Sequence, residues 1–89
     1  MFLANAWAIA KEFPTTFDVP SKEQIAKVKE GTYCKLCFND KERMWVKVTE
    51  VTSEGNFKGV LDNNPVTIED LSFGDVVEFS ACHVYSITE

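Results

Sequence analysis

Histidine, long apolar runs and paired cysteines are scarce or absent in this chain of 89 residues, and each absence excludes a class of protein. The single histidine, His83, must serve in any histidine-dependent catalytic or metal site. No stretch approaches the roughly 20 consecutive apolar residues that a membrane-spanning helix needs. Three cysteines, an odd number, do not make the disulfide framework of a small secreted domain. We therefore expect a cytoplasmic protein that is not embedded in a membrane.

Positive charge is missing from the last third of the chain. All nine Lys and Arg lie at or before Lys58, and six acids follow: Asp62, Glu69, Asp70, Asp75, Glu78 and Glu89. The net charge is −5, whereas a dedicated nucleic-acid binder needs clustered cations to displace counterions from phosphates. The charge balance therefore disfavours nucleic acid as a partner. The acidic third is either a solvated surface or a docking surface for a basic partner.

Local patterns predict one mainly β (α+β) domain over residues 1–89. Residues 2–13 are rich in alanine and carry an apolar stripe at helical spacing, which predicts a helix that ends at Pro14. Ser21 and Gln24 have the spacing of a capping box at the start of a second helix. We accordingly expect a helical or extended segment in residues 1–20, a capped helix in residues 21–30 and a β barrel in residues 31–89.

After Gly31 the apolar period changes to two, which is typical of strands. Strands are predicted at 32–38, 43–51, 57–61, 76–79 and 84–88. Gly31 and Gly74 stand in the same pattern, an apolar residue three positions before and a strand directly after, so each is expected to turn the chain at positive φ. Five short antiparallel strands are about the number that closes a small barrel.

One arrangement of cysteines and histidine is similar to a zinc ligand set. Cys34-x-x-Cys37 falls inside an alternating strand, however, where residues three apart point to opposite faces. Cys82 and His83 are adjacent, an unusual spacing for a structural zinc site. We therefore expect buried thiols, no metal and no cofactor, and we keep a set of weak metal candidates: Cys34, Cys37, Cys82 and His83.

Trp45 is the most informative single residue for function. It alternates with Met44 and Val46, which are predicted to point inward, so Trp45 and Lys47 point outward. An exposed Trp beside cations is typical of a recognition anchor, unless the N-terminal helix covers it as a second small core. The turn after the third strand and the lone histidine complete the candidate binding residues: Trp45, Lys47, Asp62, Asn63, Asn64, Pro65 and His83.

Several motifs together resemble a known family. They are Gly31 with Lys35-Leu36, Glu42-Arg43-Met44-Trp45-Val46-Lys47-Val48-Thr49-Glu50, Phe57-Lys58-Gly59-Val60-Leu61-Asp62-Asn63-Asn64-Pro65, Leu71-Ser72-Phe73-Gly74-Asp75-Val76-Val77-Glu78-Phe79 and His83-Val84. From Ile25 onward the chain resembles the uncharacterised bacterial family called domain of unknown function 2314. The resemblance implies a small cytoplasmic module with an SH3-like barrel, and it implies no activity or catalytic residue. Cys34 and Cys37 depart from the family, whose members usually carry plain apolar residues there.

These observations predict a non-enzymatic module that binds a protein or peptide through the Trp45 face or the acidic C-terminal third. An inhibitor or immunity-type protein is one specific form of this hypothesis. The first alternative is a cryptic Cys/His or zinc-dependent hydrolase, for which no glycine-rich oxyanion loop is present. The second is single-stranded nucleic-acid binding on a stacking groove. Its residues are Tyr33, Trp45 and Phe57 with Lys35, Lys47 and Lys58. The sequence does not determine the oligomeric state.

Overall fold

The computed structural model describes residues 2–13, 15 and 18–88, and most of their regular structure is strand. The strands are β1 (Tyr33–Phe38), β2 (Glu42–Ser53), β3 (Asn56–Leu61), β4 (Val76–Ser80) and β5 (Ser86–Thr88). Two short helices precede them, α1 (Ala6–Glu12) and α2 (Lys22–Ala26), and a 3₁₀ turn at Ala81–His83 separates β4 from β5. The prediction of a mainly β fold with five antiparallel strands is confirmed.

All five strands belong to one sheet with the order β4-β3-β2-β1-β5. Three residues, Asn39, Asp40 and Lys41, join β1 to β2. Asn39 and Asp40 both have φ of 54°, the left-handed pair that is typical of a tight hairpin turn. All three residues of β5 pair with β1, which leaves β4 without a closing partner. Among the described residues β4 and β5 are therefore the two sheet edges. The sheet is not closed, so the predicted closed barrel is not confirmed.

One face of the sheet carries the main core. Its side chains from β1 and β2 are at most 2% exposed: Cys34, Leu36, Phe38, Met44, Val46 and Val48. Ile25 of α2, Val28 and Ile68 cover this face. Burying one such side chain completely stabilises the fold by about 1.5–3 kcal/mol. The inward direction predicted for alternate residues of β2 is confirmed.

Both helices are shorter than predicted because neighbouring residues bond to the sheet. Residue Leu3 bridges to Phe38, and the Ala4 N–H donates to the Cys37 carbonyl over 3.0 Å, so the first residues are extended rather than helical. The predicted stop at Pro14 lies outside the described residues. In α2 the capping box is present, but the helix ends at Ala26 instead of running toward Gly31.

Gly31 and Gly74 both have the positive φ that the repeated pattern predicted, 95° and 88°. The Gly31 N–H donates to the Val48 carbonyl over 2.8 Å, and the Gly74 N–H donates to the Leu61 carbonyl over 2.8 Å. Each glycine is therefore bonded to the sheet just before a new strand begins. Gly31 turns the chain into β1 and does not cap α2.

Candidate functional site

The sheet face opposite the main core is open, and we call it the outer face. We restrict the name to the half-buried and exposed residues that strand alternation and the cross-strand register place on this side. Its residues on β1 to β4 are Tyr33, Lys35, Arg43, Trp45, Lys47, Glu50, Lys58, Val60, Val76 and Glu78. Cys37, which lies on the same side across from Arg43, is buried.

Trp45 lies on this face directly across from Lys35 of β1. The Lys35 ammonium lies 5.3 Å from the centre of the Trp45 ring, which is the geometry of a cation–π contact. Trp45 is half-buried, so part of its ring is accessible to a partner. The outward direction predicted for Trp45 agrees with this position.

The turn after β3 holds the backbone of Trp45. The Trp45 N–H donates to Asn63 Oδ1 over 2.5 Å, and the Trp45 carbonyl accepts from the Asp62 N–H over 2.9 Å. Asn64 is exposed and Pro65 is half-buried next to them. The structure thus brings two of the candidate binding elements together, the Trp45 strand and the Asp62–Pro65 turn.

The N-terminal segment forms a second small core, but Trp45 is not part of it. This cluster contains Cys37 and Tyr85 together with residues of the N-terminal segment. The Arg43 guanidinium lies 4.9 Å from the Tyr85 ring centre, so the cluster ends next to the outer face. Of the two alternatives for Trp45, coverage by the N-terminal helix is not what the structure shows.

The charges of the outer face differ in sign from the chain as a whole. Four cations and two carboxylates lie on this face, whereas the chain has a net charge of −5. Lys58 stands between Glu50 and Glu78 in the register, and its Nζ is 3.8 Å from Glu78 Oε1. Lys47 is exposed and stands across from Tyr33. The positive excess therefore lies near Trp45.

The cysteines are separated in the fold. Cys34 lies in the main core, Cys37 in the second cluster and Cys82 in the 3₁₀ turn. Burial raises the pKa of the Cys34 thiol to about 12, so it stays protonated and a poor nucleophile at neutral pH. Within residues 2–13, 15 and 18–88, no three His, Cys, Asp or Glu side chains are grouped to hold a metal ion.

His83 lies away from Trp45, at the other end of β3. Its Nδ1 accepts the Ser80 N–H over 3.0 Å, and the Ser80 hydroxyl donates to Asn56 Oδ1 over 2.8 Å. Burial lowers the pKa of His83, so the ring is neutral at pH 7. These contacts show that His83 stabilises the 3₁₀ turn. They do not place it near the other candidate binding residues.

Glu42 positions the turn beside Trp45, and the sequence reasoning missed it. Its carboxylate accepts hydrogen bonds of 3.0–3.1 Å from the Val66 N–H, the Thr67 N–H and the Thr67 hydroxyl. The backbone bond from Thr67 is the largest cause that lowers the pKa of Glu42, followed by the bond from Val66. The only sequence signal was an acid next to the Asn39-Asp40 turn.

These features define a small protein with one open sheet, whose outer face combines the aromatic ring of Trp45 with cations. None of its described helices is long and apolar enough to cross a membrane. A family profile matches residues 3–86, and the family is described as an uncharacterized protein conserved in bacteria, DUF2314. The chain belongs to this family, so the resemblance noted from residue 25 onward is confirmed and extends almost to the N-terminus. No curated protein and no solved structure matches the chain.

Proposed function

We propose that the chain is a non-enzymatic binding module of a reducing cytoplasm, and that its outer face binds an acidic segment of a protein partner. The observation that carries the proposal is Trp45, half-buried on an open sheet face, with Lys35 at 5.3 Å and Lys47 exposed two residues on. An inhibitor or immunity-type protein remains one specific form of this function.

Contact energy in protein interfaces concentrates in aromatic and arginine anchors, and surrounding polar groups exclude water. Trp45 fits such an anchor because the turn that bonds to it fixes the position of its backbone before a partner arrives. Lys35, Lys47 and Arg43 lie around it on the outer face. Carboxylates of a partner would gain from these cations, and the local positive excess would steer an acidic segment to this face of an acidic protein.

The acidic C-terminal third gives less support for a docking surface, because several of its acids have structural partners. Asp75 Oδ2 accepts the Ser72 N–H over 2.9 Å, and Glu78 pairs with Lys58. These contacts stabilise a turn and the sheet. Glu69 is exposed, but it adjoins no anchor of the kind that Trp45 provides.

Single-stranded nucleic acid is less well supported as the ligand of the outer face. A stacking platform needs a free aromatic face, and the Lys35 ammonium already lies over the Trp45 ring. Phe57, the third aromatic of that hypothesis, is only 3% exposed and lies in the main core. A base would therefore have to displace Lys35 and would find fewer rings than the sequence suggested.

The architecture that we propose for this module is an SH3-like barrel that stays open between β4 and β5. Two observations support it: the meander β1 to β4, and the return of β5 onto β1 after a 3₁₀ turn. Among the residues that the structure describes, this opening leaves β4 and β5 as the sheet edges and the outer face accessible.

Fluorescence of a single-tryptophan variant tests the proposed site. The chain has two tryptophans, so Trp7→Phe leaves Trp45 as the only reporter. We expect a glutamate–tyrosine copolymer to change the Trp45 emission at low salt, and polylysine to leave it unchanged. Charge reversal at Lys35 and Lys47 should weaken binding of the acidic copolymer at least about tenfold.

Lys41→Glu is the matched control, because Lys41 is exposed in the β1–β2 turn and is not on the outer face. The proposal is wrong if Lys41→Glu weakens binding as much as the two outer-face changes. It is also wrong if the copolymer leaves Trp45 emission unchanged, or if a thymidine oligonucleotide binds more tightly than the acidic copolymer.

A further inference from the structure

A cleft lies between α1, α2 and the β2–β3 hairpin, away from the outer face. Its cavity has a volume of about 300 Å³. The cleft walls are mostly apolar, and we call it the helix–hairpin cleft. Its lining includes Trp7, Lys22, Ile25, Val51, Glu54 and Phe57.

The apolar walls of the cleft are partly exposed to solvent. Trp7 is 42% exposed and Val51 is 46% exposed, whereas Ile25 and Phe57 form a buried floor with 8% and 3% exposure. Large apolar side chains that line one concave site are the usual composition of a ligand pocket. A flat apolar ligand would remove this surface from water and would gain offset packing against the Trp7 indole.

The size of the cleft sets the size of the ligand. An apolar cavity of about 150 Å³ holds one benzene molecule. The helix–hairpin cleft, at about 300 Å³, has room for a ring of the size of phenol or indole together with a short substituent.

Two charges of opposite sign line the same cleft. Lys22 begins α2 and Glu54 lies in the β2–β3 turn. Neither side chain forms an ion pair with another residue in the part of the chain that the structure describes. Both side chains are exposed, so a ligand with one carboxylate and one ammonium group could form an ion pair with each of them, whereas a singly charged ligand could form only one.

We propose that the helix–hairpin cleft binds a free aromatic amino acid. The ring packs between Trp7 and Phe57, the carboxylate faces Lys22, and the ammonium group faces Glu54. This site shares no residue with the outer face, so it is independent of the proposed function.

Titration of the full chain with four related compounds tests the proposal. We would follow amide signals of Ala26 and Gly55, which line the cleft, by two-dimensional NMR with L-tryptophan, indole-3-acetate, tryptamine and indole. L-Tryptophan should bind most tightly. Each missing charge should weaken binding about threefold, the effect expected for a solvent-accessible ion pair.

Charge-removing variants assign the two ends of the ligand. Lys22→Gln should reduce the affinity for L-tryptophan and indole-3-acetate and leave tryptamine unchanged. Glu54→Gln should reduce the affinity for L-tryptophan and tryptamine and leave indole-3-acetate unchanged. Lys29→Gln and Glu30→Gln are matched controls at exposed positions outside the cleft and should change none of the affinities.

Three results would overturn the inference. One is that the amide signals of Ala26 and Gly55 do not shift with millimolar L-tryptophan. Another is that all four compounds bind with equal affinity, which would show an apolar surface that does not recognise the charges of the ligand. The third is that Lys22→Gln and Lys29→Gln behave alike. Charge reversal at Lys35 and Lys47 on the outer face should leave L-tryptophan binding intact, so this proposal and the proposed function fail separately.

Discussion

The two faces of one strand, β2, differ in burial. Met44, Val46 and Val48 point into the main core, where each is at most 2% exposed. Trp45 and Lys47 alternate with them on the outer face and remain half-buried and exposed. The apolar residues on the first face are explained by folding, because their burial stabilises the chain. The large aromatic ring on the second face is not explained in this way, and it is therefore the better guide to binding.

The largest expected effect compares the two faces by truncation. Leu36→Ala removes a fully buried side chain of the main core and should lower the free energy of unfolding by about 2–5 kcal/mol. Trp45→Ala removes a larger but half-buried ring and should lower it by only about 1 kcal/mol. Urea unfolding followed by circular dichroism measures both. Equal losses of unfolding free energy would mean that Trp45 is a core residue and that the two faces of β2 do not differ in this way.

The next effect concerns Gly59, where the inner side of the sheet has no room for a side chain. A Cβ at this position would lie 2.5 Å from the Lys47 carbonyl oxygen and 2.6 Å from Val46 Cγ1. Gly59→Ala should therefore destabilise the fold by about 1–3 kcal/mol in the same unfolding assay. Lys58→Ala, the neighbouring change on the outer face, should cost about 0.5 kcal/mol or less. A tolerated Gly59→Ala would show that the strands separate more easily than the structure indicates.

Acid should weaken the connection that positions the turn next to Trp45. Hydrogen bonds from Thr67 and Val66 lower the pKa of Glu42 below its ordinary value of 4.5 in the folded chain. The carboxylate therefore stabilises the fold fully above that value, and this stabilisation is lost as the pH falls through the folded pKa. Glu42→Gln should unfold more easily at pH 7 and should lose less stability than the wild type on acidification.

Unfolding midpoints at pH 7 and at stepwise lower pH measure this effect. Thr67→Val is a graded variant, because it removes the hydroxyl bond and keeps both backbone donors to Glu42. Its midpoints should fall between those of the wild type and Glu42→Gln. Identical acid profiles for Glu42→Gln and the wild type would contradict the role of this carboxylate.

The inward and outward faces of β2 could be predicted from the sequence because they depend on a period of two that few side chains interrupt. Met44, Val46 and Val48 alternate with polar or aromatic neighbours, and this alternation specifies which face is buried. The capping box of Ser21 and Gln24 was also readable, because both bonds form within three residues. Signals of this kind can be recognised in the sequence because all the residues that produce them lie close together along the chain.

Closure of the sheet and the position of the N-terminal segment could not be predicted, because both depend on distant pairing. Nothing local in Leu3 indicates that it bridges to Phe38 rather than beginning a helix. The same limit applies to the helix–hairpin cleft, which is lined by Trp7 and Phe57 although these residues are fifty positions apart in the sequence. The outward direction of Trp45 could be predicted because its own strand shows it, whereas the hydrogen bonds of Glu42 could not, because their donors are 24 and 25 positions away.

The smallest expected effect tests how many outer-face cations are available to a partner. Lys58 and Glu78 are 3.8 Å apart with side chains 38% and 76% exposed, so their interaction is screened by water and should be worth about 0.5 kcal/mol or less. A double-mutant cycle with Lys58→Met and Glu78→Gln, read by urea unfolding, measures this coupling. A coupling above about 1 kcal/mol would mean that Glu78 holds the Lys58 side chain, so that Lys58 is not available to a partner. In that case an acidic partner would depend on Lys35, Arg43 and Lys47, and charge reversal at Lys35 and Lys47 should weaken binding by more than about tenfold.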